Sequence, residues 1–443
     1  MPENNIKSLG SYEFFGEFSS NKENNEDRFP GVLRYSPYNG LRLSYSQSDD
    51  KSPIECKRLF GVLNNGQLCT LIGPFDLSSG TSYYGKFLTR SGEHGVRYAL
   101  FGGFIEEDDL IEYCDFTFNG MQEFMRPQGF INYEDFKDGV IEKSQGHDWE
   151  VEVRNKATFS HVNESLSNLI YSKDKGALAD FKSGYNKVKE KHPDATFLLR
   201  NNLSFFFRFR KKVNVVTEEA ILDTIKITSL FSILIAKPVF PEEINLKFTH
   251  ESKRNLAVLY SLNLEQTTID LAQEKISHHF TPLNWQDLNF EKTLNKWLDI
   301  EDAYKVISIA YRYETGSSTL NEVYGEIILY ATLMEDINKS LGGKKDEKYE
   351  KPLRQYASLN LTSSLVNLFS KYNSENLGEN IATLRNELAH INRHKTLINK
   401  LNINDYIKVA GTLKIIVTSH LLHQLDISME NIHKYQDRII PSY

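Results

Sequence analysis

"GVLRYSPYNGLRLSYS" (residues 31–46) carries an Asn-Gly step, Asn39-Gly40, followed by Leu41, Leu43 and Tyr45 alternating with Arg42 and Ser44. Asn-Gly favours the positive φ angles that tight hairpins need, and the alternation marks a strand with one buried face. "FGVLNNGQLCTLIG" (60–73) repeats the arrangement around Asn65-Gly66. Together they predict an antiparallel β fold assembled from hairpins.

Outward from these hairpins, "IEYCDFTF" (111–118), "LSFFFRFRKKVNVV" (203–216), "INLKFTH" (244–250) and "LAVLYSL" (256–262) read as further strands. In "FFFRFRKK", Phe207 and Phe209 share one strand face and Arg208 and Arg210 the other. That suits a half-buried strand rather than a platform for stacking bases. One helix interrupts the pattern: Thr217 is placed to cap "EEAILDTIKITSLFSILIA", and Pro238 to end it. Residues 1–270 therefore read as a β-rich region, with a subdomain boundary near residue 150, and 271–291 as a linker.

From residue 292 to 443 the period becomes helical. Ile300, Ala303, Tyr304 and Ile307 mark a first amphipathic helix. A second begins at the capping pair Thr319 and Glu322 and runs through Val323, Ile327, Tyr330, Met334 and Ile337. Pro352 opens a third, with Tyr356, Leu361, Leu365 and Leu368 inward. The fourth carries Ile381, Leu384, Leu388 and Ile391. The fifth, from about Asp405 to Leu425, carries Tyr406, Val409, Leu413, Val417 and Leu421. The fold class is multidomain α+β: an antiparallel β-rich N-terminal region followed by an all-α helical bundle.

At 443 residues the chain exceeds what one hydrophobic core usually organises, in keeping with two or three domains. Its net charge of −7 argues against coating nucleic acid by bulk electrostatics, so any contact with RNA has to be local. The three cysteines, Cys56, Cys69 and Cys114, include no CxxC pair, which fits a reducing compartment. "MPENNIKSLG" lacks the apolar core of a signal peptide, and "ITSLFSILIA" (227–236) is too short to span a bilayer. A cytoplasmic location without membrane attachment is expected.

"TLRNELAH" (383–390) supplies the chemistry. Arg followed by four to six residues and then His occurs at Arg385–His390 and at Arg154–His161. Arg154 lies in a strand-like stretch and is read as a decoy; Arg385 lies in the fourth helix. There Asn386 and His390 share a face, whereas Arg385 and His390 are about 140° apart on an ideal helix. Either the helix breaks near His390, or Arg385 swings round, or a second subunit completes the site.

This helical region, with "LRNELAH", resembles a HEPN domain, whose hallmark is R-x(4–6)-H with a polar residue after the Arg. The β-rich start, including "FPGVLRYSPYNGLRLSYS", extends the resemblance to the ApeA anti-phage defence proteins. The resemblance implies a metal-independent endoribonuclease with Arg385, Asn386 and His390 as catalytic residues. It also implies a homodimer formed through the HEPN domain, an RNA substrate (tRNA among the candidates), and a phage protein trigger sensed by the N-terminal region. No cofactor and no metal are expected. The chemistry is coherent: attack by the ribose 2′-OH needs a proton acceptor, a proton donor and a group that holds phosphorane charge. Arg393, Lys395 and Lys400, in "RHKTLINK", form a candidate phosphate track or, equally, a solvated helix end.

Other readings compete. Some HEPN relatives bind nucleotide or RNA without cutting it, which would make the chain a scaffold or adaptor. Glu387–His390 and Glu430–His433 are Glu-x-x-His pairs of the di-iron bundle type, with Glu322 and Glu326 as the further carboxylates available. His390 and His394 have zinc-compatible spacing but no obvious acidic third ligand. His420 and His423 read as bundle-edge residues, His278-His279 as exposed linker, and "EEDD" (106–109) as a solvated loop.

Overall fold

The structure, a computed structural model, describes residues 6–23, 27–48, 54–78, 80–84, 87–125, 139–161, 170–195, 198–250, 255–313, 320–372 and 376–440. The chain opens with strands β1 (Tyr12–Ser19), β2 (Phe29–Ser36), β3 (Gly40–Ser48), β4 (Glu55–Leu63) and β5 (Leu68–Asp76). Both Asn-Gly hairpins form, with Gly40 at φ +68° and Gly66 at φ +79°, the left-handed region that favours glycine. There follow β6 (Thr81–Tyr84), β7 (Phe87–Val96) and β8 (Tyr98–Phe101). Only Arg97 separates β7 from β8. Strand β7 pairs with β3 and β8 pairs with β5, while β1 pairs with both β2 and β4. These pairings close into a ring, and Phe18, Leu33, Leu43, Leu59, Leu71 and Phe101 belong to the apolar cluster that fills it. Closure removes exposed strand edges there.

The sheet continues beyond β8 through β9 (Leu110–Phe118), the short helix α1 (Met121–Met125), β10 (Val140–Gln145) and β11 (Trp149–His161). After helix α2 (Lys175–Lys191) come β12 (Leu198–Lys211), β13 (Val215–Val216), helix α3 (Thr217–Ile235), β14 (Pro241–Phe248) and β15 (Leu256–Tyr260). All fifteen strands belong to one antiparallel sheet. Phe205, Phe207 and Phe209 are buried, and Arg208 grips Asp115 through two hydrogen bonds of 2.7 and 2.8 Å. The interleaved aromatic stretch is therefore core. Helix α2, which the sequence reading missed, is exposed along almost its whole length; Tyr185 is its one buried residue among those described.

Helix α3 joins the two regions. On one side Phe231 stacks on Phe118 with ring centroids 4.4 Å apart. On the other, the helical region reaches its backbone three times: Trp297 Nε1 donates to the Lys226 carbonyl (2.9 Å), Arg312 Nη2 to that of Ile225 (3.1 Å), and the Tyr435 hydroxyl to that of Ile233 (2.8 Å). Arg312 also donates to Thr228 Oγ1 and to the Val239 carbonyl, so its buried charge is met by neutral acceptors. Burial on both sides is why 227–235 is buried all round, with Thr228, Ser229 and Ser232 the polar residues among its apolar ones. Thr217 is not the cap expected of it. It is the first helical residue, Val216 occupies the N-cap, and the helix closes at Ala236 in a left-handed conformation (φ +56°).

The remaining helices are α4 (Gln266–Gln273), α5 (Phe290–Ile300), α6 (Lys305–Tyr313), α7 (Leu320–Ser340), α8 (Glu350–Tyr356), α9 (Leu359–Ser370), α10 (Leu377–Ala389), α11 (Ile403–Gln424) and α12 (Met429–Ile439). The first amphipathic helix is in fact two, α5 and α6, joined by a 3-10 turn over Glu301–Tyr304. The third also divides, because Ser358 caps α9 separately through the Leu361 N–H. Thr319 lies outside the described residues, while Val323, Ile327, Tyr330, Met334 and Ile337 face inward as expected. Helix α12 follows the five anticipated. One apolar cluster runs from the sheet through α3 into this bundle. No helix among the described residues is long and apolar enough to cross a membrane, and all three cysteines are free thiols.

Candidate active site

Helix α10 starts at Asn376, whose side chain accepts the Glu379 N–H, and packs Ile381 and Leu384 into the bundle. The helix stops at Ala389. His390 is its C-cap, with extended angles (φ −124°, ψ +119°), and its N–H makes the last helical bond to the Asn386 carbonyl (3.1 Å). The helix does break at His390, one of the three alternatives the sequence offered, and the extended angles of His390 turn the chain off the helical path there. Ile391, expected on the inward stripe, is 95% exposed for the same reason.

Arg385 is half-buried, and one of its Nη atoms donates to Asn386 Oδ1 at 3.3 Å. Asn386 therefore orients the arginine, and its carbonyl anchors His390. The Arg385 Nε is buried without a hydrogen-bond partner among the described residues. Behind Arg385, α7 offers Glu335, which accepts the Tyr349 hydroxyl at 2.5 Å and pairs with Lys348 at 3.3 Å. Burial raises the Glu335 pKa, but these partners and the Arg385 charge outweigh it and hold the carboxyl below its ordinary value. The arginine thus sits near a fixed negative charge. His390 is exposed, and its ring has no hydrogen-bond partner within the described chain. No hydrogen bond among the described residues joins Arg385 to His390.

Glu387, weighed in the sequence as half of a Glu-x-x-His metal pair, is 3% exposed and does something else. Its carboxylate accepts the Leu397 N–H (2.9 Å), the Ile398 N–H (2.9 Å), the Thr396 N–H (2.7 Å) and the Thr396 hydroxyl. Burial pushes its pKa up, and the hydrogen bonds from Ile398, Thr396 and Leu397 more than reverse that. With the carboxylate committed to backbone, the pairing with His390 is not made. The signal was present in the sequence: Glu387 sits on the apolar stripe between Leu384 and Leu388, where an unpartnered carboxylate would be costly.

Of the three cations after the motif, Arg393 and Lys400 are exposed. Lys395 folds back, and its ammonium donates to the His390 carbonyl (3.0 Å) and to the Glu387 carbonyl. His394 is exposed beyond the helix end, so it shares no helical face with His390. His420 is not at the bundle edge. It is 6% exposed on α11, with Nδ1 2.9 Å from the Tyr356 hydroxyl, and burial followed by the His423 charge pushes its pKa down to about 4. His278 places Nδ1 2.9 Å from the Glu123 carbonyl. Arg154 lies on β11 and donates to Glu152 at 2.7 Å, an ion pair within the sheet. Among the described residues no three His, Cys, Asp or Glu side chains gather as a metal site would require.

A helical bundle with Arg-Asn at the last turn of one helix and His just past its end has the form of a HEPN domain. Residues 301–431 match the family model described as Apea-like HEPN, and residues 13–297 match ApeA N-terminal domain 1. The chain belongs to the ApeA family and is a defence-type HEPN protein. No curated protein and no solved structure matches it. HEPN domains are in general nuclease-like, often dimerise and act on RNA.

Proposed function

We propose that this protein is a metal-independent endoribonuclease of anti-phage defence, held inactive until its N-terminal region meets a phage protein. The observation that carries the reading is the end of α10, where an exposed His390, its ring without a hydrogen-bond partner among the described residues, follows an Arg385 oriented by Asn386. Histidine exchanges protons near neutral pH, so His390 serves as base toward the ribose 2′-OH or as acid toward the 5′-oxygen. Arg385 holds the non-bridging phosphate oxygens as charge builds on them. Cleavage leaves a 2′,3′-cyclic phosphate and a 5′-hydroxyl.

In-line displacement wants acid and base on opposite sides of phosphorus, and each chain brings one such histidine. A homodimer with two α10 ends facing across a twofold axis supplies both. Exposed Arg393 and Lys400 extend the cationic surface along the RNA backbone. The test is to incubate activated wild type, Arg385→Ala and His390→Ala with RNA in the presence of EDTA and to map the ends. Cyclic phosphate ends from wild type alone support the reading. Intact RNA from all three, with an inducing phage protein present, removes it in favour of a binding scaffold.

A further inference from the structure

Glu387 and Lys395 together tie the segment after α10 back onto the helix end. The Glu387 carboxylate takes three consecutive N–H groups, those of Thr396, Leu397 and Ile398, as well as the Thr396 hydroxyl. One residue before this turn, Lys395 reaches the other way, and its ammonium donates to the carbonyls of Glu387 and His390. A cation on the last carbonyls of a helix is favourable in itself. Here it also closes a loop in which Glu387 is held at both its carbonyl and its carboxylate. The Tyr406 hydroxyl on α11 adds a hydrogen bond to the Ile398 carbonyl at 2.5 Å. The loop is thereby pinned to the bundle at its far end as well.

From this geometry we infer that Lys395 and Glu387 are positioning residues that fix His390, and that Lys395 is not a phosphate contact. The inference rests on the ribonuclease reading for its functional consequence, but its structural content stands apart from it. His390 has left the helix, so no further helical hydrogen bond determines where its backbone goes. The Lys395 ammonium on its carbonyl, together with the longer Arg393 N–H bond, supplies that constraint. Glu387 in turn places Lys395, because it anchors the very next residue. Arg393, three residues past His390, donates its N–H to the same His390 carbonyl at 3.4 Å. The clamp thus sets the catalytic histidine and the neighbouring cation as one unit, and leaves Arg393 and Lys400 as the exposed cations that face RNA.

The test separates positioning from phosphate binding in the full-length protein. A lysine that contacts phosphate lowers the salt slope of RNA binding by about one when removed. Lys395→Ala is expected to keep the wild-type slope and RNA affinity while kcat falls about tenfold. Arg393→Ala is expected to weaken binding and reduce the slope. Amide hydrogen exchange of residues 390–400, which needs no activity, is expected to rise in Lys395→Ala and in Glu387→Gln. Thr396→Val, which replaces the hydroxyl by a methyl and keeps the N–H, gives a milder version should Glu387→Gln fold poorly. A slope lowered by one in Lys395→Ala, or exchange unchanged in every variant, overturns the clamp. Wild type that never cuts RNA removes the ribonuclease reading alone, and the exchange data still decide whether the clamp exists.

Discussion

His390, just past the end of α10, and His420, within α11, belong to one bundle, and the chain treats them in opposite ways. His390 follows the last residue of α10, exposed and with no hydrogen-bond partner for its ring among the described residues. His420 lies within α11, 6% exposed and held by the Tyr356 hydroxyl, with its pKa pushed down to about 4. The contrast teaches what proton chemistry requires of a histidine. A buried imidazole that stays neutral through the physiological range can pack and accept a hydrogen bond, but it cannot exchange protons with a substrate it never meets. Access, more than residue type, separates the histidine proposed to act from the one that packs.

The contrast breaks most visibly if the roles are reversed. His390→Ala is expected to lower RNA cleavage by about a hundredfold or more, the usual range for losing a general acid or base. His420→Asn should leave cleavage within a few-fold of wild type, and an assay in which His420 matters more would overturn the assignment. Arg385→Lys should cost about tenfold in cleavage, because an ammonium cannot reproduce the two parallel hydrogen bonds of a guanidinium to phosphate.

Stability sharpens the same comparison. His420 has a folded pKa of about 4 against an ordinary value of 6.5, so the unfolded chain binds the proton first. Its contribution to stability is therefore complete above pH 6.5 and lost as the pH falls toward 4. Thermal melts of His420→Asn should show a flatter decline than wild type across that window. Tyr356→Phe removes the hydrogen bond to His420 and should destabilise the protein by about 1 kcal/mol in denaturant melts, with cleavage retained. The smallest effect concerns the second Arg–His spacing: Arg154→Ala, which removes an ion pair within the sheet, should leave cleavage unchanged.

How much the sequence disclosed depended on how local each cause was. The Asn-Gly hairpins were legible because two adjacent residues determine the turn. The inward face of α7 was legible because that helix has one buried side, whereas α11 is buried all round from Val409 to Leu422 and its expected stripe is only part of what it buries. Helix α2 was not legible, since an almost fully exposed helix carries only a weak apolar stripe. The strongly apolar α3 announced a helix but not its position between sheet and bundle, because burial on both sides erases the periodicity that points to a neighbour. At the site, the sequence singled out Arg385, Asn386 and His390 and offered a helix break near His390 as one of three alternatives, without choosing it. Leu388 and Ile391 keep the period going, with no Gly or Pro to stop it, while the turn that receives Glu387 lies about ten residues downstream. Glu387 was noticed for the wrong chemistry, since a carboxylate read without its partners looks like a ligand.

Helix α3 has one further consequence. Its backbone is bonded by Trp297, Arg312 and Tyr435 from the bundle while Phe231 stacks against the sheet. It is a party wall, built once and used by both neighbours. A HEPN half expressed alone would lose the surface that seats Trp297 and Arg312, and a sheet half expressed alone would show water a raw apolar flank. Recombination that exchanged one half for a distant relative's would have to carry this wall and its three bonding side chains together. The two halves are therefore expected to be inherited as a single piece.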